Sequence, residues 1–258
     1  MLETNRRVTV DRLCEILGLA PSTIRRQLTD MEERGLLIRT HGGAVGIDAG
    51  REIPVEQKAG INIRNKRLIA AAAREYIQDG ETIALGGGST IIELCYMLMN
   101  LKKAVVLTDS ILAANILMEN PNIELWINGG IVHKKAGYII GPNSTTIFET
   151  MQIDKTFLGT ECIDFDKGVY SAAFGNANVE QTMASVGRKV FVLADSSKMN
   201  RQSTVPFLPL NKIDYIVTDH DCNPDYIQSI QRHGVELVIA GQPQRQKKLW
   251  KAAWDDKE

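Results

Sequence analysis

Three glycines followed by two hydroxyl residues, at positions 86–90, form the segment whose residue types most directly suggest chemistry. The segment follows the strand-like run ETIAL and opens an apolar helical stretch, so its backbone N–H groups can approach an anion at a helix N-terminus. A structural interpretation also exists, because residues 90–93 spell a helix capping box. The two interpretations are compatible, and we predict that Gly87, Gly88, Ser89 and Thr90 bind a phosphate group.

Small or polar residues also follow four other strand-like runs, where they could contact the same ligand. Carboxylates can accept sugar hydroxyls and lysines can complement a phosphate, whereas paired glycines allow close backbone approach or simply a tight turn. Lys155 could equally form a surface ion pair, and residues 133–135 look like an exposed basic loop. The further predicted effector-binding residues are Asp109, Gly129, Gly130, Lys155, Glu161 and Lys198, and Asp164 and Arg201 are additional candidates.

A second group of residues suits nucleic acid. A predicted helix begins after Pro21, and arginine and glutamine side chains in its first turns could bond guanine and adenine edges in a major groove. A possible β-wing behind it could touch the DNA backbone or minor groove. A solvated helix face paired with the acids at 30, 32 and 33 is the alternative. The predicted DNA-binding residues are Ser22, Thr23, Arg25, Arg26, Gln27, Arg39 and His41.

Two kinds of element must position these residues. Apolar residues recur at helical spacing on both sides of the break at residues 18–21, and LLIRTHGGAV can fold back at its glycines, which predicts a winged helix-turn-helix. Beyond residue 60, seven strand-like runs (ETIALGG, AVVLTD, IELWING, IDKTFLGTE, KVFVLAD, DYIVTD and ELVIA) alternate with helical stretches. That alternation predicts an α/β, Rossmann-like, mostly parallel sheet with ligands at the carboxyl ends of its strands.

Composition limits the remaining possibilities. The 258 residues are divided into a DNA-binding domain at 1–46, a Gly- and Pro-containing linker at 47–60 and an effector-sensing domain at 61–258. The net charge of −1 means that DNA binding must come from a local face of the protein. Four scattered cysteines without a CxxC pair disfavour metal sites and disulfides, and no signal peptide or 18-residue apolar run is present. We therefore expect a cytoplasmic protein without membrane segments, metals or cofactors.

Several uncommon strings, in order and at family spacing, carry a resemblance. STIRRQLTDMEERGLLIRTHGGAV resembles the DNA-reading segment of DeoR-family repressors, and GGGST, LTDS, NGG, IDKTFLGTECID and LADSSKMNR follow in the family's order over roughly residues 8–220. The resemblance implies a winged helix-turn-helix joined to a sensor domain related to ribose-5-phosphate isomerase. It also implies a homo-oligomer, a dimer or tetramer, that represses a sugar-metabolism operon through double-stranded operator DNA and responds to a phosphorylated sugar.

The sequence departs from that family pattern in three places. The family normally has another helix before Thr9, but only about eight residues precede it here, which predicts either a chain truncated or mis-started at its N-terminus or an incomplete DNA-binding domain. The usual Asp and first Thr of the sugar loop are Gly86 and Ser89, and the acidic and basic positions after the GVYS run are Asn176 and Glu180. A sugar-phosphate isomerase and a sugar-phosphate-binding module without DNA binding remain as alternatives. Against an isomerase, the Lys and glycine tract of those enzymes is replaced by GVYSAAFGN.

Overall fold

A computed structural model describes residues 7–33, 37–40, 42–46 and 55–241. The N-terminal part contains two helices and a small antiparallel sheet with strand order β1-β3-β2. Its elements are β1 (Arg7–Thr9), α1 (Val10–Leu17), α2 (Pro21–Glu33), β2 (Leu37–Thr40) and β3 (Gly43–Gly46). The predicted helix-turn-helix with a β-hairpin wing is therefore confirmed.

Local sequence signals set the bounds of both helices. The Thr9 hydroxyl caps α1 by accepting a 3.2 Å hydrogen bond from the backbone N–H of Arg12. Gly18 ends α1 in the left-handed conformation, at φ 65°, which glycine adopts without steric cost. Pro21 starts α2, where its missing N–H costs no hydrogen bond. The predicted apolar face of α2 is buried, with Ile24 and Leu28 packed against both strands and helices.

Removing the cap of α1 is expected to loosen this small domain. Thr9→Ala leaves an N–H of the first turn unpaired at a cost of about 1 kcal/mol. We expect hydrogen-deuterium exchange of peptides from residues 10–33 to accelerate about fivefold, with peptides from the sheet domain as the internal reference. Thr9→Ser retains the capping oxygen and is expected to exchange like the wild type, and equal rates in both variants would show that the cap is not stabilising.

The larger part is built on a seven-stranded, all-parallel sheet in the order β15-β14-β12-β9-β4-β5-β6. The seven predicted strand runs are the seven strands of this sheet, so the α/β fold class is confirmed. Its strands are β4 (Thr82–Leu85), β5 (Ala104–Thr108), β6 (Ile123–Ile127), β9 (Ile153–Leu158), β12 (Gly187–Leu193), β14 (Tyr215–Thr218) and β15 (Glu236–Ile239).

Helices cover both faces of the sheet, so the central strands are nearly continuous runs of apolar residues. One core lies under α4 (Ile63–Arg74), α5 (Ser89–Met97) and α6 (Ile111–Leu117), where the stacked rings of Phe157 and Phe191 lie 4.6 Å apart. The opposite core lies under α7 (Thr146–Glu149), α8 (Phe174–Val186) and α9 (Pro224–Gln231). The two cores fix the sheet, and with it the loops at its strand ends.

Smaller elements surround the carboxyl ends of the strands. They are the helix α3 (Val55–Ala59), the hairpin β7 (Ile131–His133) and β8 (Tyr138–Ile140), and an antiparallel sheet of β10 (Cys162–Asp164), β11 (Gly168–Ser171) and β13 (Val205–Leu208). Residues 133–135, interpreted as an exposed basic loop, belong to the end and turn of the hairpin. Residues 47–60 were assigned to a linker, and the part of it that the structure describes begins with α3. No helix in the described ranges is long and apolar enough to cross a membrane.

Candidate ligand cleft and nucleic-acid interface

A cleft opens at the carboxyl ends of the central strands, where parallel α/β sheets gather their loops. It is bounded by the loops after β4, β9 and β12 and by α3 and the start of α4. The structure brings most of the predicted ligand residues together here. The predicted residues that line the cleft are Gly87, Gly88, Ser89, Thr90, Glu161 and Lys198, and the additional candidate Arg201 also lines it.

The glycine loop presents the N-terminus of α5 to the cleft. Gly88 is the N-cap residue at φ 113°, so no side chain caps the helix and its first N–H groups remain open to a ligand. Thr90 lies within the helix, and the capping box predicted at residues 90–93 is not formed, because the helix begins one residue earlier. Gly159 closes the loop from the other side, where a Cβ atom would lie only 2.7 Å from the carbonyl oxygen of Gly87.

Basic side chains from three segments form one wall of the cleft. Lys58 comes from α3, Lys66 from α4, and Lys198 and Arg201 from the segment after β12. The pKa of Lys66 is lowered to about 8, mainly by burial; the charge of Asp195 opposes the shift, and the charges of Lys198 and Lys58 add to it. A buried lysine among other cations is electrostatically unfavourable, and an anionic ligand would relieve that repulsion.

Glu161 joins this basic wall rather than facing the cleft alone. Its two carboxylate oxygens contact Lys58 and Lys198, the latter at 3.9 Å. Burial by itself would raise the pKa of Glu161, but the charges of Lys198 and Lys58 outweigh it and lower the pKa. The carboxylate is therefore ionised, and it orders the two lysine ammonium groups at the mouth of the cleft.

Buried polar side chains form a second part of the cleft lining, which we call the deep wall. Ser171, Asn176 and Glu180 line the cleft, and the amide of Asn176 donates a 3.2 Å hydrogen bond to the Ser171 hydroxyl. Burial raises the pKa of Glu180 well above its usual value, the charge of Asp109 raises it further, and hydrogen bonds with Ser171 and Asn176 oppose the shift. Asp109 is completely buried, and burial raises its pKa to about 7. Burial thus raises the pKa of two carboxyl groups, that of Glu180, which lines the cleft, and that of Asp109, which does not line it.

Four predicted ligand residues do not line the cleft: the fully buried Asp109, and Lys155, Gly129 and Gly130. Lys155 is near the start of β9, at the opposite edge of the sheet from Glu161, and its ammonium group contacts Glu81. Gly130 packs against the hairpin, where a Cβ atom would lie 2.3 Å from the carbonyl oxygen of Ile140. Gly129 adjoins it and is also outside the cleft lining. Gly130 therefore allows this segment to lie close to the backbone of β8, and no contact within the described residues requires a glycine at position 129.

The predicted DNA-reading residues of α2 lie on the face opposite its buried stripe. Ser22, Arg25, Arg26 and Gln27 are exposed, and Thr23 is partly exposed. Arg39 lies on β2, where its guanidinium donates a 2.9 Å hydrogen bond to the Thr29 hydroxyl. That contact ties the wing to α2, and His41 lies outside the described residues.

Sequence reasoning missed Lys58, Lys66 and Tyr138 as cleft residues. Lys58 had been assigned to the linker, and Tyr138 lies on a hairpin whose short strands carry no clear alternating pattern. A signal did exist for the deep wall, because GVYS is a β-branched and aromatic run that ends in polar residues. Ser171 ends that strand, and Asn176 and Glu180 follow on one face of α8.

Two family models match the sequence. Residues 1–49 match the DeoR-like helix-turn-helix domain, and residues 61–220 match the DeoR C terminal sensor domain. Similar proteins include the putative aga operon transcriptional repressor of Escherichia coli O157:H7, which is 30% identical over 91% of this chain and 88% of its own length. The HTH-type transcriptional regulator GlpR of Haloferax volcanii is 33% identical over 89% of this chain and 90% of its own length. The HTH-type transcriptional repressor GlcR of Bacillus subtilis is 28% identical over 93% of both chains.

Solved structures resemble parts of the chain more distantly. Ribose 5-phosphate isomerase A from Methanocaldococcus jannaschii superposes with a TM-score of 0.41 and 21% identity, covering 54% of this chain and 55% of the isomerase. The eIF2B beta subunit from Chaetomium thermophilum has a TM-score of 0.43 and 12% identity, covering 63% of this chain and 50% of the subunit.

Proposed function

Because this chain belongs to the DeoR family of transcriptional regulators, we propose that it represses a sugar-metabolism operon and is controlled by a phosphorylated sugar bound in the cleft. The observation that carries the effector proposal is the uncapped N-terminus of α5 facing the basic wall. Open N–H groups, the positive end of the helix dipole and several cations together suit a dianionic phosphate. The buried polar residues of the deep wall suit the sugar hydroxyl groups.

DNA binding is proposed to rest on the exposed face of α2 in the major groove. A single helix-turn-helix module reads few base pairs, so two modules on a symmetric operator give the affinity that a repressor needs. We therefore propose that the working form is a homodimer or tetramer in the cytoplasm. Exposed apolar side chains on the hairpin and the nearby helix, including Ile131 and Phe174, are available for such self-association.

Effector and operator are proposed to act on one conformational equilibrium. In one conformation of the oligomer the two DNA-reading helices are spaced to fit the operator, and in the other they are not. An effector that binds the second conformation more tightly weakens operator binding, with a coupling free energy of typically about 1–3 kcal/mol. Linkage then requires operator DNA to weaken effector binding by the same factor. Equal effector affinity with and without operator would contradict this mechanism.

The effector proposal is tested by a thermal-shift screen of hexose and pentose phosphates against the full chain. We expect at least one phosphate to raise the melting temperature, whereas the parent sugar without phosphate does not. Lys198→Ala removes a charge-assisted contact worth about 1.5–3 kcal/mol, so the affinity for that phosphate is expected to fall about 10- to 150-fold.

Lys212→Ala is the matched control, because Lys212 is an exposed lysine outside the cleft lining. It is expected to bind the phosphate as the wild type does. Equal loss in both lysine variants, or stabilisation by the parent sugar alone, would contradict a phosphate site beside Lys198.

An isomerase activity is disfavoured by the state of the carboxyl groups. Aldose–ketose isomerisation needs a carboxylate base beside the reacting carbons. Glu161 is held by two lysines, and burial raises the pKa of Glu180 and disfavours its ionised form, so neither is placed as a free base. We propose that the cleft binds sugar phosphates without turning them over, and an isomerisation assay with the phosphate that stabilises the protein checks this.

A further inference from the structure

The deep wall of the cleft contains an excess of hydrogen-bond acceptors. We name Asp109, Asn176 and Glu180 the acceptor cluster; their exposed fractions are 0%, 7% and 4%. Both carboxyl oxygens of Asp109, the amide oxygen of Asn176 and one carboxyl oxygen of Glu180 have no hydrogen-bond partner among the described residues. Two of these four oxygens, on Asn176 and Glu180, belong to residues that line the cleft together with the lysines of the basic wall, whereas Asp109 is fully buried and does not line it.

Such an arrangement is costly in the free protein. A buried polar atom without a partner costs about 1–3 kcal/mol, and two buried carboxylates side by side would repel each other. Burial raises the pKa of both carboxyl groups, and the protonated form avoids part of this cost. The charge of Asp109 raises the pKa of Glu180, so the protonation of one carboxyl group affects the other.

The chemistry of the acceptors selects the group that would satisfy them. A hydroxyl offers one hydrogen-bond donor, whereas an ammonium group offers three donors and a positive charge. An ammonium next to these carboxyl groups would favour their ionised form, and each ionised carboxylate would then accept a charge-assisted hydrogen bond. The cleft lining thus combines several cations with Glu180, a buried carboxyl group that can ionise beside a bound ammonium.

Resting on the proposed function, we infer that the effector is an amino sugar phosphate, whose phosphate lies at the basic wall and whose protonated amine binds the acceptor cluster. Glu180, which lines the cleft, is then the residue that distinguishes an amine from a hydroxyl in the effector, and Asp109 acts on it through its charge. Sugar phosphates that carry a hydroxyl in place of the amine would make the same phosphate contacts but would not bring a positive charge to the acceptor cluster. The two classes therefore differ at the deep wall alone.

Isothermal titration calorimetry of the full chain at pH 7.5 tests the inference with matched ligands. Glucosamine 6-phosphate and galactosamine 6-phosphate carry the amine, glucose 6-phosphate and galactose 6-phosphate carry a hydroxyl at the same carbon, and the N-acetylated phosphates carry an uncharged amide. We expect one of the two amines to bind at least 10-fold tighter than its hydroxyl and N-acetyl counterparts. Protons released on amine binding are expected to be detected as a dependence of the measured heat on the ionisation enthalpy of the buffer.

The Glu180→Gln variant separates charge from shape, because glutamine keeps the size and the hydrogen bonds to Ser171 and Asn176. It is expected to weaken amine binding at least 10-fold and to leave the hydroxyl counterpart within about threefold. Glu119→Gln, at an exposed position outside the cleft, is the control and is expected to change neither.

The outcomes distinguish this inference from the function on which it rests. If hydroxyl sugar phosphates bind as tightly as the amines, or if Glu180→Gln weakens both classes equally, the amine assignment is wrong and the sugar-phosphate proposal stands. If no phosphate binds to a folded chain in either screen, the sugar-phosphate proposal fails and the amine inference fails with it.

Discussion

The double variant Arg25→Ala/Arg26→Ala is expected to lose operator binding by about 100-fold or more. Each arginine that bonds a base edge contributes about 1–3 kcal/mol of discrimination, and each that contacts a phosphate adds to the salt-dependent part of the affinity. Both side chains are exposed on α2. The loss therefore falls on the DNA contact and not on the fold.

The structure indicates that this substitution leaves the domain intact. The apolar contacts of α2 are made by Ile24 and Leu28, which are 2% and 4% exposed, on the other face of the helix. The Thr29 hydroxyl donates to the backbone carbonyl of Arg25, a contact that alanine retains. Alanine also has a higher helix propensity than arginine, so α2 is expected to remain helical.

Fluorescence anisotropy with DNA from the promoter region upstream of the gene measures the effect at about 0.1 M salt. Arg188→Ala is the matched control, because that arginine is exposed in the sheet domain and pairs with Asp154 at 3.4 Å. Its affinity is expected to stay within about twofold of the wild type. If the double variant binds the promoter as tightly as this control, α2 does not read DNA. A wild-type full-length chain that binds no promoter DNA at low salt would contradict the repressor assignment itself.

The sheet could be predicted from the sequence because each strand carries its own signal. Runs such as AVVLT and KVFVL are short, β-branched and bounded by polar turns, which is the pattern of strands buried on both faces. The motifs that follow those strands come together for a topological reason. Parallel strands end at one edge of the sheet, so GGGST, GTE and ADSSK must gather there.

The position of Lys155 could also have been anticipated from that rule. It lies at the third position of β9, whereas ligand residues of such sheets follow the last residue of a strand. The register pairs Ile83 of β4 with Lys155 and Leu85 with Phe157, so the lysine is nearer the amino end of the sheet. Lys155 is part of the motif IDKTFLGTE but does not reach the cleft, because the two ends of that motif lie at opposite edges of the sheet.

The basic wall could not be predicted in the same way. Lys58 and Glu161 are separated by 103 residues and meet only because α3 lies over the loop after β9. No local periodicity records such a contact, since α3 is a five-residue helix with little amphipathic pattern. Lys66 has a stronger helical context, but its burial among cations depends on neighbours that come from three other segments.

Asp109→Asn is expected to stabilise the protein at pH 8, even though Asp109 was predicted to bind the effector. Burial raises the pKa of Asp109 in the folded protein to about 7, from a usual value of 3.8. At a pH between those two pKa values, Asp109 has lost its proton in the unfolded chain but keeps it in the folded protein. Stability contributed by this group therefore falls as the pH rises from about 4 to 7, and the penalty is complete above pH 7.

Asparagine has the same shape and no proton to lose, so it removes that penalty. A shift of this size corresponds to at most about 4 kcal/mol above pH 7, and to about half of that or less at pH 5. We expect urea unfolding, followed by circular dichroism, to give an increase in the free energy of unfolding of about 2–4 kcal/mol at pH 8 and a clearly smaller increase at pH 5. Glu119→Gln, at an exposed position, is expected to change the free energy by less than about 0.5 kcal/mol at either pH.

The same variant is expected to bind the effector more weakly, which would show why an unfavourable carboxyl group is kept in the core. Asparagine supplies one acceptor oxygen in place of two and cannot become an anion, so it satisfies an ammonium group poorly. A residue that lowers stability but increases affinity is characteristic of a binding site. A variant that is no more stable at pH 8 than at pH 5, relative to the wild type, would show that Asp109 is ionised and already compensated in the folded protein, and the acceptor cluster would then lose one of its three members.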